Sequence, residues 1–244
     1  MAEPESIPQL PDLRIKIFSD GADLDSILDA YQKGVVKGFT TNPTLMAQAG
    51  ITHYLTFARE VLRVVTDLPV SFEVFDDDFG GMYRQAHVLH ELGSNVYVKI
   101  PITNTRGEPS VPLIERLSGE GIKLNVTAMM TLAQVQAVHD VLPDDAQAVI
   151  SVFAGRIADS GRDPVPIMQE ALNILRPKPG AELLWASPRE ALNILQADAI
   201  GCPIITVTPD LLKKAALFGK DLEEFSLETV KMFYNDAAKS GFRI

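Results

Sequence analysis

The feature that most constrains the fold is an alternation of strand-like and helix-like segments that repeats eight times along the chain. The strand-like segments are short runs rich in β-branched and aromatic residues, and a segment with helical spacing of its apolar residues follows each one. This alternation predicts parallel strands joined by crossover helices. The predicted strands are 14–19, 35–40, 69–74, 95–101, 122–127, 148–153, 182–187 and 204–208. The predicted helices are 23–31, 53–66, 76–92, 111–120, 132–141, 165–175, 188–196 and 210–238, with an interruption in the last near Gly219.

Eight such units within 244 residues match the count and length of a barrel, and no linker divides them. We therefore predict an α/β fold, a single-domain (β/α)8 TIM barrel over residues 13–218, preceded by a flexible lead-in at residues 1–12. A helical tail at residues 219–244 is predicted to pack on the barrel or on a neighbouring subunit of a homo-oligomer. A doubly wound open sheet is the main alternative, but the turn at residues 19–23 lacks the GxGxxG pattern of such sheets.

Composition narrows the possible partners and cofactors. The net charge of −10 and the pI of about 4.9 argue against nucleic acid and anionic membranes. Cys202 is the only cysteine and the four histidines form no HExxH pattern, so we predict neither an intrachain disulfide nor a Cys-based metal site. The N-terminal residues 1–12 lack an apolar signal core, and no segment approaches about 20 apolar residues. We expect a cytoplasmic protein.

A lysine on the fourth predicted strand is the starting point for function. Val96, Val98 and Ile100 occupy one side of this strand, whereas Tyr97 and Lys99 occupy the other side. Burial near the carboxyl end of the strand would disfavour an ammonium ion and leave a nucleophilic amine able to form a Schiff base with a carbonyl. The alternative is a lysine at the rim, whose stem is buried while its charge reaches water.

Polar side chains recur at the carboxyl ends of the predicted strands, where barrels carry their catalytic groups. Asp20 ends the first strand, and a loop with Thr41 and Asn42 follows the second strand. Polar groups at so many inner strand ends are costly unless they pair with one another or serve a site. The pairs predicted to face inward are Ser71 with Glu73, Tyr97 with Lys99, Asn125 with Thr127, Ser151 with Phe153, and Trp185 with Ser187. The residues between them, predicted to pack against the outer helices, are Phe72, Val98, Val126, Val152 and Ala186.

This set supplies complementary chemical roles. Schiff-base chemistry at a lysine needs one carboxylate to move protons and another to deprotonate a hydroxyl before C–C cleavage. Glu73 and Asp20 are the candidates. Arg156 and Arg189 follow the sixth and seventh strands, where barrels often bind phosphate, although either could instead be a surface ion-pair partner.

Seven motifs in register resemble the successive strand ends of the transaldolase family, within the class I Schiff-base aldolases. The resemblance runs from about residue 14 to about residue 215, and GFTTNPTL together with VKIP is its most specific part. The short chain resembles the small subfamily that also contains the fructose-6-phosphate aldolases. The motifs are KIFSDGAD, GFTTNPTL, SFEVF, VYVKIP, LNVTAM, SVFAGRI and WASPR.

The resemblance implies a role for each member of the set. Lys99 corresponds to the Schiff-base lysine, Asp20 to the acid/base for cleavage, and Glu73 and Thr127 to the residues that position a proton-shuttling water. The implied partners are small-molecule sugar phosphates, and the chemistry uses no metal and no organic cofactor. The predicted substrate-binding residues are Asn42, Thr41, Asn125, Ser151, Phe153, Arg156, Ser187 and Arg189.

Three positions favour the transaldolase branch over the aldolase branch of the subfamily. The aldolases carry Gln in place of Glu73 and Tyr in place of Phe153, and they lack the counterpart of Asn125. One departure concerns the anion site, because the family's ASFR or ASFK motif reads Ala-Ser-Pro-Arg at residues 186–189. The identity of the arginine that binds the anion, and whether the anion is a phosphate, are open at this level.

We therefore expect a transaldolase of carbohydrate metabolism, typical of the pentose phosphate pathway, that transfers a dihydroxyacetone unit from fructose 6-phosphate or sedoheptulose 7-phosphate to an aldose. One alternative is an aldolase that releases free dihydroxyacetone. Another is a variant transaldolase that acts on a longer-chain or sulfonated sugar. The alternative of a different class is a non-catalytic barrel that binds sugar phosphates, and the intact set of Lys99, Asp20 and Glu73 argues against it.

Overall fold

Eight parallel strands form one closed barrel in chain order in the computed structural model, which describes residue 7 and residues 9–243. Each strand pairs with its successor along the chain, and the last pairs with the first. The predicted single-domain (β/α)8 barrel is confirmed. The strands are β1 (Lys16–Asp20), β2 (Gly38–Thr40), β3 (Val70–Glu73), β4 (Val96–Pro101), β5 (Leu124–Met129), β6 (Ala148–Val152), β7 (Ala181–Trp185) and β8 (Ile204–Val207).

Helices follow every strand and, apart from the last one, which buries no residue, they form the outer layer. They are α1 (Leu24–Lys33), α2 (Pro43–Gln48), α3 (Tyr54–Val64), α4 (Phe79–His90), α5 (Val111–Gly119), α6 (Leu132–Val141), α7 (Ala154–Asp159), α8 (Pro164–Leu175), α9 (Leu192–Ala199), α10 (Pro209–Lys214) and α11 (Leu222–Ser240). In the described part of the chain, every helix is too short or too polar to cross a membrane.

Two apolar clusters divide the interior according to strand parity. Phe72, Val98, Val126 and Val152 belong to the large cluster that the strands share with the helices, as the two-residue period predicts. Alternate residues of the same strands form a smaller cluster inside the barrel, completed by partly buried aromatic rings. Its members are Phe18, Val149, Leu184, Ala186 and Ile204, with Tyr97 and Phe153 packed against them.

Three segments differ from the sequence-based predictions. The stretch after β2, predicted as a loop, turns into α2, because the Asn42 side chain accepts a hydrogen bond from the Leu45 N–H at 2.9 Å and Pro43 suits the first helical position. The short helix α7 was not predicted. The helix predicted at 188–196 begins only at Leu192, because residues 186–190 form an irregular turn after β7.

The chain ends lie partly outside the described residues. Of the predicted lead-in, residues 1–6 and 8 are not described, and Leu10–Asp12 forms a 3-10 turn. The predicted interruption near Gly219 occurs where Gly219 has a φ of +75° between α10 and α11. The domain limits drawn from the sequence stay predictions.

Candidate active site

A polar cavity of about 580 Å³ lies at the carboxyl ends of the barrel strands. Every predicted site residue except Thr41 lines it, and the Thr41 carbonyl oxygen contacts a lining residue. The cavity therefore brings together residues that lie far apart in the sequence. The lining residues are Asp20, Thr40, Asn42, Pro43, Thr44, Leu45, Gln48, Glu73, Lys99, Asn125, Thr127, Ala128, Ser151, Phe153, Arg156, Leu184, Ala186, Ser187, Arg189 and Thr206.

Lys99 lies deep in this cavity and is only 7% exposed. The β3–β4 register places Glu73 opposite Lys99, and their side chains meet with Nζ 3.1 Å from Glu73 Oε2. The same nitrogen donates a hydrogen bond to the Thr41 carbonyl oxygen at 2.7 Å. Lys99 is therefore a buried lysine with a carboxylate partner, and not a rim lysine that extends its charge into water.

Asp20 is the second carboxylate of the cavity. It accepts a hydrogen bond from Thr40 Oγ1 at 2.8 Å and a longer one from Asn42 Nδ2 at 3.5 Å. Burial raises the pKa of the Asp20 carboxyl, and the positive charge of Lys99 and the two hydrogen bonds offset only part of this effect. A carboxyl that holds its proton at higher pH than usual is suited to give and take protons during a reaction.

Asn125 is fully buried between two serine hydroxyls. Its side-chain amide donates to Ser71 Oγ at 3.0 Å and accepts from Ser151 Oγ at 2.7 Å, so its orientation is determined from both sides. Thr127 also lies on this wall. Its buried hydroxyl has no hydrogen-bond partner among the described residues, which is unusual for a buried polar group and is consistent with a site for a water molecule.

The segments that follow β6 and β7 carry the two predicted arginines. Arg156 is exposed, and its guanidinium carbon lies 5.9 Å from the centroid of the Phe153 ring. Arg189 is paired with Asp159: its Nε donates to the two carboxylate oxygens at 3.0 and 3.1 Å, and its Nη2 also bonds to Oδ2. This pairing was not predicted. Asp159 pairs with Arg189 alone, and among the described residues Arg156 has no ion-pair partner, so this end of the cavity carries two guanidinium groups and one carboxylate.

One predicted pair of inward-facing residues is wrong. Trp185 packs outward among the helices, whereas Ala186, predicted to face outward, lies in the inner cluster and lines the cavity. The reason is that Leu184 is the inward-facing residue at the end of β7, with Leu183 and Trp185 facing outward, so a period counted back from Ser187, beyond the strand, gives the wrong side. Ser187 reaches the cavity through a left-handed backbone conformation with a φ of 60°, which is uncommon for a residue with a side chain.

Sequence reasoning missed two hydroxyl groups beside Asp20. Thr206 Oγ1 lies 2.6 Å from Thr40 Oγ1, which donates to Asp20. Because the Thr40 proton is directed at the carboxylate, Thr206 is the donor between the two threonines. The parity rule used for the other strands could have identified Thr206, since it lies at the inner side of β8.

The fold is a (β/α)8 barrel, and its cavity lies where enzymes with this fold carry their active sites. A lysine–carboxylate pair and a second buried carboxylate lie in this cavity, at the ends of the strands. Within the described residues, His, Cys, Asp and Glu side chains form no group of three or more that could hold a metal ion. The predictions of no metal and no organic cofactor stay predictions.

Comparison with known proteins identifies the family. The family model described as Transaldolase/Fructose-6-phosphate aldolase matches residues 17–244. A curated relative from Thermoanaerobacter sp., named "Probable transaldolase", is 33% identical over 232 residues, which cover 94% of this chain and 100% of the relative. Another with the same name, from Caldicellulosiruptor saccharolyticus, is 35% identical over 217 residues and is matched over 86% of this chain and 95% of its own length. The chain belongs to the transaldolase/fructose-6-phosphate aldolase family, which confirms the resemblance.

Solved structures show the same fold at low sequence identity. A mandelate oxidase variant with an FMN adduct superposes with a TM-score of 0.54 at 14% identity, covering 87% of this chain and 71% of that chain. This similarity concerns the barrel alone.

Proposed function

We propose that this protein is a transaldolase that transfers a dihydroxyacetone unit from fructose 6-phosphate or sedoheptulose 7-phosphate to an aldose phosphate. The observation that carries the proposal is the buried Lys99, held between Glu73 Oε2 and the Thr41 carbonyl in a cavity that also contains Asp20. The names of the relatives support transfer rather than another lysine chemistry.

Lys99 and Glu73 carry out the first half of the proposed reaction. Lys99 passes a proton to Glu73 and attacks the ketone carbon of the donor sugar, and the resulting carbinolamine loses water with the proton returned by Glu73. The product is a Schiff base, which withdraws electrons from the adjacent carbon. The free hydroxyl of Thr127 is available to hold the water that moves these protons.

Asp20 carries out the second half. It takes the proton of the hydroxyl on the far carbon of the bond to be broken, that carbon becomes the aldehyde of the leaving sugar, and the electron pair of the C–C bond moves into the Schiff base. The shortened aldose leaves and a three-carbon enamine stays on Lys99. The enamine carbon then attacks an acceptor aldehyde, Asp20 returns the proton to the new hydroxyl, and hydrolysis frees the product ketose.

The terminal phosphate of the sugar is proposed to bind at the end of the cavity with Ser187, Arg156 and Arg189. Two guanidinium groups and a hydroxyl match the charge and hydrogen-bonding needs of a phosphate. The carbon chain of the sugar extends from this end to Lys99. Its hydroxyl groups are proposed to contact the side-chain amides of Asn42 and Asn125.

Reductive trapping tests the mechanism. The protein is incubated with fructose 6-phosphate and borohydride, and a reduced three-carbon adduct is expected on Lys99 and on no other lysine. Lys99→Ala should lose both the adduct and the transfer activity, whereas Lys123→Ala, which removes a lysine outside the cavity, should retain both. An adduct on a different lysine, or activity in Lys99→Ala, contradicts the proposal.

Phe153 supports transfer rather than release of dihydroxyacetone. A tyrosine at this place could position or supply water for hydrolysis of the intermediate, whereas the Phe153 ring offers no proton. The wild type is therefore expected to need an acceptor such as erythrose 4-phosphate for turnover, and Phe153→Tyr to raise dihydroxyacetone release relative to transfer. A coupled assay measures free dihydroxyacetone from fructose 6-phosphate with and without erythrose 4-phosphate, and the amount of transfer product is measured alongside. Release by the wild type as fast as transfer would favour the aldolase branch.

We also propose that the protein is a homo-oligomer, because α11 has no buried residue and exposes many apolar side chains that a second copy can cover. The exposed apolar residues in and just after α11 are Leu222, Phe225, Leu227, Val230, Met232, Phe233, Tyr234 and Phe242. We further propose a cytoplasmic location, and the acidic composition supports the exclusion of nucleic acid and anionic membranes as partners.

A further inference from the structure

The end of β3 carries Glu73, but the neighbouring strand β2 does not extend far enough to pair with it. The β2–β3 register joins Phe39 to Val70 and Thr40 to Ser71, and the chain then turns into α2. The ladder continues only as far as the Thr41 N–H, which donates to the Ser71 carbonyl at 3.2 Å. Glu73 therefore lies one rung beyond the last β2–β3 hydrogen bond.

The next rung cannot form with β2. Hydrogen bonds run from Phe39 N–H to the Pro69 carbonyl and from Thr41 N–H to the Ser71 carbonyl, so the following donor to Glu73 would be residue 43. That residue is Pro43, which has no N–H. By the same spacing, the Glu73 N–H would donate to the Thr41 carbonyl, but that oxygen instead accepts from Lys99 Nζ.

A tyrosine hydroxyl makes the two hydrogen bonds with Glu73 that a longer β2 would have made. Tyr54, the first residue of α3, accepts a hydrogen bond from the Glu73 N–H at 2.7 Å and donates one to the Glu73 carbonyl at 3.0 Å. Its ring is fixed by edge-to-face contacts with Phe72 and Phe75, at centroid distances of 6.1 and 4.4 Å. Burial raises the pKa of the Tyr54 hydroxyl, so the donated proton stays in place across the physiological range.

We propose that Tyr54 is a positioning residue that acts through Glu73 and the Thr41 carbonyl. Its hydroxyl satisfies both backbone groups of Glu73, which holds the carboxylate at Lys99. It also releases the Thr41 carbonyl from the β ladder, so that this oxygen is available to Lys99 Nζ. The inference rests on the proposed function, because it assigns Tyr54 to the lysine–carboxylate pair on which that function depends.

The test compares kinetic constants of single and double variants. Tyr54→Phe keeps the ring and removes only the hydroxyl, so we expect kcat to fall about tenfold at an unchanged KM for the donor sugar, the effect of about one net hydrogen bond. In a Glu73→Gln background, the same substitution should lower kcat by a smaller factor than in the wild type, because one of the two groups through which Tyr54 acts is already altered. Tyr83→Phe is the matched control: it removes a tyrosine hydroxyl that bonds to Glu120 outside the cavity, and its kcat should stay within twofold of the wild type.

Amide hydrogen exchange at Glu73 reports the hydrogen bond directly. Exchange of this amide should be faster in Tyr54→Phe and unchanged in Tyr83→Phe. If Tyr54→Phe does not fold, Tyr54→His, whose ring can still offer a polar atom, allows the same measurements. An unchanged kcat, or an equal loss of kcat with and without Glu73→Gln, would overturn the inference. Failure of the proposed function is distinguishable, because it appears as a missing borohydride adduct in the wild type, whereas the exchange rate at Glu73 does not depend on the reaction.

Discussion

A buried carboxylate such as Asp20 has opposite effects on stability and on catalysis. Its pKa is raised by burial, so the folded protein binds the Asp20 proton more tightly than the unfolded chain does. The contribution of Asp20 to the free energy of unfolding therefore falls as the pH rises from the ordinary aspartate pKa through the folded value. Above the folded pKa the carboxylate is ionised in its buried site at a cost in stability, which indicates a functional reason for its presence.

Replacing Asp20 separates these two effects. Asp20→Asn is expected to increase the free energy of unfolding at pH 7, because the amide has no charge to desolvate and can still accept from Thr40. The gain should vanish in acid, where Asp20 is protonated in both states. The kcat should fall on the order of 10²- to 10⁴-fold, the usual contribution of a general acid or base. Denaturant unfolding at several pH values measures the first effect, with the exposed Asp145→Asn as a control that should change neither quantity.

The two arginines at the anion end should affect binding more than chemistry. Arg156→Ala or Arg189→Ala each removes a charge-assisted contact and is expected to raise KM for phosphorylated donors roughly ten- to a hundred-fold with a smaller change in kcat. Arg162→Ala is the control, because Arg162 is exposed nearby but does not line the cavity. If neither substitution changed KM, the phosphate would have to bind elsewhere.

Individual residues were predictable where strand periodicity applied. Ser71, Lys99, Asn125 and Ser151 lie within regular strands, so their direction follows from the two-residue period. Tyr54 was missed, because it reaches the site from a helix and its role depends on hydrogen bonds to backbone atoms, which leave no pattern in the sequence.

At the scale of elements, the contact between α7 and the turn after β7 shapes the end of the cavity that carries Ser187, Arg156 and Arg189. The Gly155 N–H donates to the Ala186 carbonyl at 3.3 Å, and a Cβ at Gly155 would overlap the Ser187 carbonyl oxygen. The close approach of the two segments thus requires glycine at this position. This contact is what holds Ser187 beside the arginine-bearing wall.

Gly155→Ala should therefore force the two segments apart. We expect a loss of about 1–3 kcal/mol in the free energy of unfolding, typical of overpacking, together with a higher KM for phosphorylated sugars. Gly119→Ala, where the added methyl meets open space at the end of α5, should leave KM unchanged and keep or slightly raise stability. Thermal unfolding measures the stability of both variants, and steady-state kinetics measure their KM for phosphorylated sugars. Equal behaviour of the two alanine variants would contradict this account of the junction.

Most elements were predictable, but two short helices were not. The eight strands and the main helices follow from apolar periodicity, with limits displaced by a few residues, as at 35–40, where the strand begins only at Gly38. The six-residue helices α2 and α7 are too short to show a helical period and lie in segments rich in loop-forming residues. The turn at Ser187 depends on a left-handed residue that is not glycine, and the sequence contains no signal for it.

At the scale of the whole molecule, α11 buries none of its residues against the rest of a single chain. Phe233 is 63% exposed, whereas a soluble monomer rarely leaves so many large apolar side chains in water. The closed barrel itself was predictable from the count of units, because eight βα units leave few other arrangements for parallel strands. The packing of the tail was not, since the surface proposed to cover α11 belongs to a second copy of the chain.

Association through α11 gives a measurable prediction. The wild type should sediment as an oligomer, and Phe233→Glu should weaken association on the order of tenfold or more, because a charge would replace an apolar contact worth about 1.5–3 kcal/mol. Lys231→Glu changes the charge on the opposite side of the same helix, 200° away at 100° per residue, and should not change the mass. Analytical ultracentrifugation over a range of concentrations tests this, and a monomeric wild type would refute it.

At the end of the cavity that is proposed to bind phosphate, the carboxylate of Asp159 competes with a bound anion for the guanidinium of Arg189. A ligand that approaches Arg189 meets a guanidinium already neutralised by a carboxylate, so it has to share or displace that partner. A doubly charged phosphate competes for the guanidinium more strongly than a singly charged sulfonate of the same size. Under the proposed function, we therefore expect Asp159, which does not line the cavity, to make phosphorylated sugars better ligands than sulfonated ones.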